Sequence, residues 1–487
     1  MDEPAPGHRV VRRLLLGGIG LCDALAFASL GVQVRGLIGA HGILPNARWF
    51  QALSEHIDVG FADAPSLCWG SGCSDALLLA LCWGGAAAGL ALAAGVLPWL
   101  SALICFASYL SLVSAGQVFL SYQWDTLLLE AGFLALLLAP PGAMLPHSAA
   151  WRHEPPRVAL WLVRWLLFRL VWCSGVVKLA SGDPTWRDLT ALAHHYETQP
   201  LPTWTSWWAF QLPLGFQRAS TALTLGVELL APLGYFGPRR VRFAAGAATA
   251  GLMLGIAATG NYGFFNLLAI VLCISLLDDA ALPRRWRAGP GLPPSRPHAF
   301  AVLGVAVPLA LASAAPVIWA VGAGGRAFEA LARLYELQRG FHVTSSYGLF
   351  AVMTTERPEL RVEGSRDGET WTPYAFRWKP GDPQRAPRFA GPHMPRLDWQ
   401  LWFAALEGPD RVRWLQPFLS RLLQGRPEVL DLMAGDPFAG RPPRFVRIAV
   451  DDYHFTTRAE RAESGAWWRV VPGRVAIEVR RDESEDP

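Results

Sequence analysis

The sequence predicts a polytopic bundle of about nine membrane-spanning helices, followed by a β-rich soluble domain that is sandwich-like with inserted helices. Three observations lead to this fold class. The 487 residues are 52% apolar and only 17% charged, whereas a soluble domain usually holds about 25% charged residues. The charge deficit is confined to the first part of the chain, where long apolar runs alternate with short polar clusters. Beyond it, charged residues recur every few positions and several stretches alternate as β-strands do.

The change in composition places a domain boundary between Ala323 and Gly340. We therefore expect a multi-span membrane domain over residues 1–323 and a β-rich domain over residues 340–487. The formal net charge is +4. Arginines in the membrane half already supply it, so no nucleic-acid partner is expected. The first apolar run is long and contains Asp23, which favours a retained helix over a cleaved signal peptide.

Nine apolar stretches are candidate spans, because only a helix of about 20 apolar residues satisfies its own backbone across a hydrocarbon core. Two of them are short, and a re-entrant segment is an alternative for each, so the expected count is about eight to ten. The short ones are Trp124–Leu138 and Phe264–Leu277, and the others are Leu14–Val34, Ala76–Leu97, Leu100–Leu120, Val158–Leu179, Ala219–Phe236, Phe243–Ala258 and Phe300–Val321.

Loop charges predict the orientation, because lysine and arginine collect in the cytoplasmic loops of membrane proteins. Most loop arginines fall in alternate loops, as expected for a cytoplasmic N-terminus and a C-terminal domain outside the cytoplasm. The inside set is Arg9, Arg12, Arg13, Arg152, Arg157, Arg239, Arg240, Arg242, Arg284, Arg285, Arg287 and Arg296. The smaller outside set is Arg35, Arg48, Arg187 and Arg218.

Two of the seven cysteines, Cys68 and Cys73, lie together in the first predicted outside loop. A pair at this spacing outside the cytoplasm is compatible with a structural disulfide, with two free thiols or with a redox pair. The sequence leaves these three alternatives open. The other five cysteines fall in apolar helices, where a small buried hydrophobic residue is expected.

The C-terminal domain shows both strand and helix patterns. A polar turn with an Asp-Gly step separates two strand-like stretches and predicts a hairpin. Two other segments repeat their apolar residues with the helical period. The predicted strands are Gly348–Thr354, Glu359–Glu363, Thr370–Trp378, Phe445–Phe455 and Trp467–Val479, and the predicted helices are Arg396–Leu406 and Val412–Leu423.

Polar residues recur at the outer ends of several predicted spans and in the outside loops. An ionisable group at mid-bilayer costs roughly 3 kcal/mol or more, so its presence indicates a role. We expect one shared polar pocket there, with ordinary interfacial residues and helix-packing bonds as the alternative. Its predicted residues are Gln123, Trp124, Asp125, Glu130, Arg169, Lys178, Asp183, Trp186, Arg187, His195, Tyr196, Glu197, Asn261 and Asn266.

Lys178 is one of only two lysines in the chain, the other being Lys379. A desolvated ammonium group can lose its proton, whereas a guanidinium cannot. Lys178 is therefore the candidate catalytic residue, with a snorkelling cation as the alternative. The opposed directions of the fourth and fifth spans predict that Asp125, Glu130 and Arg169 join Lys178 in one polar cluster.

One predicted helix of the C-terminal domain combines aromatic rings with charges, a composition typical of partner-binding surfaces. Core packing is the alternative. These partner-binding candidates are Arg396, Asp398, Trp399, Trp402 and Phe403. No P-loop, dinucleotide fingerprint or nucleophile elbow is present. The adjacent His194 and His195 make a poor zinc pair, so no metal is expected.

Long motifs extend through nearly the whole chain. They are Ser121–Phe133, Ser174–Arg187, His195–Pro202, Gly260–Asn266, Tyr347–Phe350, Met353–Glu359, Val362–Ser365 and Pro392–Phe403. By these motifs the chain is identified as a member of the lipase maturation factor family. The resemblance implies a membrane-embedded folding factor for secreted proteins with a lipase-like exported client. It also implies no established cofactor.

The eukaryotic members of that family lie in the endoplasmic reticulum membrane with a lumenal C-terminal region. This chain is rich in arginine and poor in lysine, which indicates a bacterial source. The corresponding location is the bacterial inner membrane, with the C-terminal domain outside the cytoplasm.

A shorter match supports a second hypothesis. Ser174–Leu179, followed by Trp186, is similar to a segment of the membrane domain of vitamin K-dependent γ-carboxylase. There the matching lysine acts as the base toward the reduced quinone. The resemblance implies, as the alternative, a quinone- or lipid-linked membrane enzyme with Lys178 in a pocket open to the outer face.

Overall fold

The computed structural model describes residues 7–55, 59–287, 291–322 and 325–481. Ala323, at one side of the predicted domain boundary, lies outside these ranges. In chain order the α-helices are α1 (Arg9–Gly31), α2 (Val34–Ile38), α3 (Asn46–Glu55), α4 (Asp75–Ala94), α5 (Pro98–Gly116), α6 (Gln123–Leu138), α7 (Arg157–Ala180), α8 (Pro184–Arg187), α9 (Ala191–Thr198), α10 (Trp204–Phe210), α11 (Leu214–Leu230), α12 (Arg239–Thr259), α13 (Phe265–Cys273), α14 (Arg296–Ala320), α15 (Arg326–Gln338), α16 (Arg396–Glu407), α17 (Leu415–Leu423), α18 (Pro427–Leu430) and α19 (Arg458–Ser464). The strands are β1 (Pro358–Ser365), β2 (Thr372–Pro373), β3 (Phe445–Phe455), β4 (Trp468–Val471) and β5 (Val475–Arg480).

Seven helices of the described residues are long and apolar enough to cross a membrane. They are α1, α4, α5, α7, α11, α12 and α14, with short 3₁₀ turns extending α5 to Leu120 and α11 to Phe236. The two predicted short spans are also helical but shorter, namely α6 with 16 residues and an apolar helix over Phe265–Leu276. The membrane half is thus a helical bundle, as predicted. Seven of its helices are candidate spans by length and composition, and the predicted count of nine is not confirmed.

Local sequence signals set the ends of these helices. The Ser74 hydroxyl caps the start of α4 by accepting a hydrogen bond from the Leu77 amide at 3.3 Å. The helix stops at Gly95, whose left-handed φ of 77° favours glycine. Three residues later Pro98 opens α5 in the position where proline fits a helix best.

Helices α1 and α4 pack with their backbones in close contact. A methyl group on Gly20 would lie 2.5 Å from the carbonyl oxygen of Gly89, and one on Gly89 would lie 2.7 Å from the Ala24 amide nitrogen. Small residues permit such approach, which drives helix association in membranes. These glycines therefore fix the spacing of the first two spans.

One end of the bundle, which we call the arginine end, gathers the start of α1 with the loops before α7, α12 and α14. Asp279 accepts hydrogen bonds from the Arg9 and Val11 amides at 2.9 and 3.0 Å. Arg239 pairs with Asp278 at 2.7 Å. Segments assigned to one side by their charges thus meet at one end. The opposite end, on which the C-terminal domain packs, is the domain end.

The C-terminal domain contains one antiparallel sheet with the strand order β2–β1–β3–β4, and β5 also pairs with β3. Leu360 and Val362 of β1 lie opposite Val450 and Ile448 of β3. Leu360, Val362 and Ile448 are fully buried, and α16 and α17 pack against these two strands. The predicted sandwich is not confirmed, because helices cover this sheet and the described strands form no second one.

The strand predictions were only partly correct. Phe445–Phe455 matches β3 at both ends, and Glu359–Glu363 lies inside β1. The stretch Thr370–Trp378 shortens to β2, and Trp467–Val479 divides into β4 and β5. Gly348–Thr354 is not a strand. Its backbone groups bond to side chains of the membrane half instead of to a neighbouring strand.

Buried apolar side chains from both halves belong to one hydrophobic core. Phe119, at the domain end of α5, lies 5.5 Å from the Trp414 ring of the C-terminal domain, measured between ring centroids. Trp124 lies 4.7 Å from Trp399 in the same measure. The C-terminal domain is therefore seated on the bundle, and the polar residues of interest lie where the two meet.

Candidate functional site

The candidate site is the junction, by which we mean the buried polar side chains at the domain end of the spans together with the C-terminal residues that they contact. Most of the predicted pocket residues lie in it. Three ion pairs form its core.

The first ion pair joins α6 to α16. Arg396 donates to both carboxylate oxygens of Asp125, at 2.9 and 2.7 Å. The Tyr109 hydroxyl donates to the same carboxylate at 2.6 Å, and Arg396 also donates to the Phe119 carbonyl at 2.7 Å. Asp125 is 0% and Arg396 1% exposed. Asp125 also lies in the first turn of α6, where the helix dipole favours a negative charge. This forked geometry is the strongest form of charged hydrogen bond.

The second ion pair joins α6 to α7 and holds the segment after α15. Arg169 pairs with Glu130 and donates to the Ser345 carbonyl at 2.9 Å. Glu130 accepts from the Ser345 amide at 3.1 Å and from the Tyr347 hydroxyl at 2.7 Å. Both charges are buried. Three further polar groups therefore bond to the carboxylate and guanidinium, which lowers the cost of their burial.

The third ion pair joins α7 to α11. Lys178 donates to Glu228 at 2.9 Å and to the Ser174 carbonyl at 3.3 Å, and its nitrogen lies 5.2 Å from the centre of the Trp186 ring. A cavity of about 60 Å³ adjoins this pair. Sites for drug-sized ligands are roughly 300–1,000 Å³. The cavity does not support the quinone-linked alternative, and Lys178 is held as an ion-pair partner.

The three pairs correct the expectation of one cluster of Asp125, Glu130, Arg169 and Lys178. Only Glu130 and Arg169 contact each other. Asp125 pairs with Arg396, and Lys178 pairs with Glu228, so neither contacts the other members of the expected cluster. Glu228 was missed, although it is a carboxylate inside a predicted span, and the rule that selected the other charges would have found it.

Asp183 links the loop after α7 to the C-terminal half. Its carboxylate accepts hydrogen bonds from the Thr185 amide at 2.8 Å and from the Met353 amide at 2.5 Å. Burial alone would raise the pKa of Asp183, but these hydrogen bonds hold that pKa below its ordinary value. The carboxylate is therefore ionised at neutral pH.

Other predicted residues bond to the same irregular segment, 345–354. Gln123 accepts from the Gly348 amide at 3.1 Å, and the Trp186 indole donates to the Phe350 carbonyl at 3.1 Å. With Asp183 and Glu130 they satisfy backbone groups that a strand would have paired within a sheet.

Asn261 bonds to a second C-terminal segment. Its side chain donates to the carbonyls of Leu201 at 3.1 Å and Arg388 at 2.8 Å. It accepts from the Ala390 amide at 2.6 Å. One buried amide thus connects the loop after α9 to the loop before α16.

Glu197 lies beside Arg357, a junction residue that we did not predict as part of the site. Arg357 donates to the carbonyls of Glu197 at 2.7 Å and Pro200 at 3.0 Å, and to Glu359 at 2.6 Å. The Glu197 carboxylate accepts from the Phe455 amide at 2.7 Å. Arg357 is 1% exposed. Its position inside the motif Met353–Glu359 was the available signal.

His195 and Tyr196 lie on α9 within the junction. A ring nitrogen of His195 lies 3.1 Å from the Tyr262 hydroxyl. Burial, together with the nearby charge of Lys178, lowers the pKa of His195 to about 4. Burial raises the pKa of Tyr196. Both side chains are therefore neutral at physiological pH.

The remaining pocket residues have other environments. Trp124 stacks on Tyr122 with ring centroids 4.5 Å apart. Asn266 is buried, and its carbonyl oxygen has no hydrogen-bond partner among the described residues. Arg187 is exposed at the end of α8. These three do not take part in the bonds described above.

The partner-binding candidates on α16 pack inside the molecule, against the membrane half or against the rest of the C-terminal domain. Trp402 donates its indole hydrogen to the Thr198 carbonyl at 2.9 Å. Asp398 accepts from the Lys379 amide at 2.9 Å, and burial raises the pKa of Asp398 to about 6. Arg396, Asp398, Trp399 and Trp402 are buried, and Phe403 is half-buried. The helix is packed in the core, the alternative that the sequence left open.

Cys68 and Cys73 form a disulfide, one of the three alternatives for this pair. The Cys73 amide donates to Asn46 at 2.6 Å, which ties the disulfide loop to α3. The other five cysteines are buried. Within the described ranges no group of three or more His, Cys, Asp and Glu side chains could hold a metal ion.

Comparisons with known proteins identify the family. A family model described as the lipase maturation factor transmembrane domain matches residues 10–284, and one described as the lipase maturation factor C-terminal domain matches residues 343–476. The chain belongs to the lipase maturation factor family. It is therefore a membrane-embedded maturation factor.

Curated relatives of this maturation factor align along most of both chains. Lipase maturation factor 2 of Gallus gallus is 36% identical, with 96% of this chain and 80% of the relative covered. Lipase maturation factor 2 of Homo sapiens is 34% identical, with 95% and 81% covered. Lipase maturation factor 1 of Mus musculus is 31% identical, with 96% and 87% covered. No solved structure matches this maturation factor significantly.

Proposed function

We propose that this maturation factor assists the folding of an exported, lipase-like client at the non-cytoplasmic face of a bacterial inner membrane. The names of its relatives support the class of client. The junction supports the mode of action, because two buried ion pairs that involve α6 and α7 hold the C-terminal domain and its connecting segment on the bundle. A client leaving the membrane would meet one fixed surface made by both halves.

The same proposal includes nine crossings with a cytoplasmic N-terminus. Both short helices connect the two ends of the bundle, which supports counting them as crossings. At the end of α6, the Leu137 carbonyl lies 3.1 Å from the ring of His298 in the first turn of α14. At the end of the apolar helix after α12, the Leu276 carbonyl accepts from Arg242 at 2.7 Å. Both contacts lie at the arginine end.

Alkaline phosphatase fusions test the orientation, because that enzyme is active only outside the cytoplasm. A fusion after Pro294 is expected to be inactive and a fusion after Pro487 active. Phosphatase activity after Pro294, or none after Pro487, would contradict the proposed orientation. The family assignment would not be affected.

The client is tested by deleting the gene and measuring the folded amount and activity of each exported protein. We expect an exported hydrolase to aggregate or lose activity, and the wild-type chain to restore it. Arg396→Gln should restore it poorly, because the change leaves Asp125 without its buried partner. Arg441→Gln, the same change at an exposed arginine of the same domain, is the matched control. If no exported protein changes on deletion, the proposed function fails.

A further inference from the structure

A strip of exposed apolar side chains lies on α10 and the start of α11. Trp204 and Trp208 are each 45% exposed, and Leu214 and Phe216 are 50% and 51% exposed. Trp204 and Trp208 are four residues apart and therefore project from one face of α10. Large apolar side chains exposed together mark a contact surface.

Helix α10 lies level with the domain ends of two spans. Thr205 donates to the carbonyl of Ala258, in the last turn of α12, at 2.5 Å. Gln217, in the first turn of α11, donates to the Ala209 carbonyl at 2.6 Å. The ends of membrane-spanning helices lie near the lipid headgroups, where tryptophan is enriched, and α10 is tied to the ends of two candidate spans.

The C-terminal domain contributes to the same strip. Phe389 is 42% exposed, and its ring centroid lies 6.1 Å from that of Trp204. The guanidinium carbon of Arg458, on α19, lies 5.5 Å from the centre of the Trp208 ring. Arg458 is exposed, and among the described carboxylates none lies within ion-pair distance of it. An apolar ring and an unpaired cation of the soluble domain thus extend the strip.

We propose that α10, Phe389 and Arg458 form a membrane anchor that seats the C-terminal domain on the phospholipid headgroups at the domain end. The tryptophan and phenylalanine rings lie at the headgroup level, where an aromatic ring is stabilised between the acyl chains and water. Arg458 binds lipid phosphate, which a guanidinium recognises with two parallel hydrogen bonds. The strip is continuous with an exposed apolar face of α11, where Leu223 and Leu230 are 66% and 69% exposed, so its occupant is the surrounding leaflet.

The anchor adds a contact that the junction does not provide. The junction binds the C-terminal domain to protein, whereas the anchor binds it to lipid. The anchor does not depend on the client, so it can be tested by measuring the depth of its residues in the membrane.

Nitroxide labels at single introduced cysteines test the anchor in the full chain, reconstituted in nanodiscs of phosphatidylethanolamine and phosphatidylglycerol. The native cysteines do not interfere, because five are buried and two form the disulfide. Labels are placed by Trp208→Cys, Phe389→Cys and Arg458→Cys. Glu369→Cys is the aqueous control, because it is exposed and lies beyond the far end of β1, about 26 Å along the strand from the junction.

We expect the labels at positions 208 and 389 to collide with oxygen several-fold more, relative to a water-soluble nickel chelate, than the label at position 369. The label at position 458 should give an intermediate collision ratio, below those at positions 208 and 389 and above that at position 369, as expected at the depth of the lipid phosphates. Equal accessibility at positions 389 and 369 would overturn the contact between the C-terminal domain and lipid, even if position 208 is shielded. The label at position 389 also decides the matter if Trp208→Cys does not accumulate.

Discussion

At the scale of single residues, the charged groups of the three buried ion pairs are retained because each has a buried partner. Lys178 shows this most directly. It could have been a proton acceptor by its chemistry, yet Glu228 lies 2.9 Å from its nitrogen. A charge left in such a place without its partner costs several kcal/mol.

Lys178→Met should therefore lower the free energy of unfolding by about 3 kcal/mol, because it leaves the Glu228 carboxylate buried and unpaired. Thermal unfolding of the purified protein in detergent measures the loss. Lys178→Arg should retain stability and client maturation, since a positive charge and similar reach remain.

The control is the double change Lys178→Met with Glu228→Gln, which removes both charges and should recover much of the lost stability. A Lys178→Arg protein that inserts and accumulates but no longer matures its client would contradict this account. It would show that Lys178 must give up a proton.

His195 makes stability depend on pH. Its pKa is lowered to about 4 from an ordinary value of about 6.5. Because the unfolded chain binds the proton more readily, the stability from His195 is complete above pH 6.5 and declines as the pH falls toward 4, by about 3 kcal/mol. The raised pKa of Asp398, about 6, acts in the opposite direction over the same range.

His195→Gln should therefore flatten the fall in melting temperature between pH 6.5 and pH 4, because glutamine keeps a hydrogen-bonding group but does not titrate. His41→Gln, at an exposed histidine, is the control. An unchanged slope for His195→Gln would rule out His195 as a source of the pH dependence.

At the scale of elements, long apolar runs predicted the helices well, because a single segment in lipid can form all its backbone hydrogen bonds only as a helix. Strand β3 was predicted at both ends, since its more and less buried residues alternate along it except at Ile448 and Ala449. The stretch 348–354 has strand-like composition but no strand. Side chains from distant parts of the chain form hydrogen bonds with its backbone groups instead. The spacing of residues in the sequence does not reveal such long-range bonds.

The same limit applied to the candidate site. Most of its polar residues were recognised, because their types are costly at a membrane boundary. Their partners were not, since Asp125 and Arg396 lie 271 positions apart and were assigned to two separate sites. Burial of α16 also could not be distinguished from an exposed aromatic face by periodicity alone.

The segment 345–354 should loosen when one of its side-chain partners is removed. Asp183→Ala removes the carboxylate to which the Met353 amide donates. It should lower local stability by roughly 1.5–3 kcal/mol, the range for a hydrogen bond to a charged group. Hydrogen exchange of peptides covering this segment measures it, with faster exchange expected. Asp188→Ala, at an exposed carboxylate of the same loop, should leave exchange unchanged. Equal exchange in both variants would contradict the assigned role of Asp183.

At the scale of the whole molecule, the two halves share one hydrophobic core and are joined by buried polar bonds. The Asp125–Arg396 pair couples α6 to the C-terminal domain. Each charge is satisfied only when both halves are in place, so the pair should report on the assembled molecule.

A double-mutant cycle with Asp125→Asn and Arg396→Gln tests this coupling, with the free energy of unfolding of the C-terminal domain as the measured quantity. Contacting residues show coupling energies of about 0.5–3 kcal/mol, and independent ones add to within about 0.5 kcal/mol. We predict a coupling energy of at least about 1 kcal/mol, with the double variant less destabilised than the sum of the single variants. Additive losses would contradict the account and show that the two halves fold without regard to this pair.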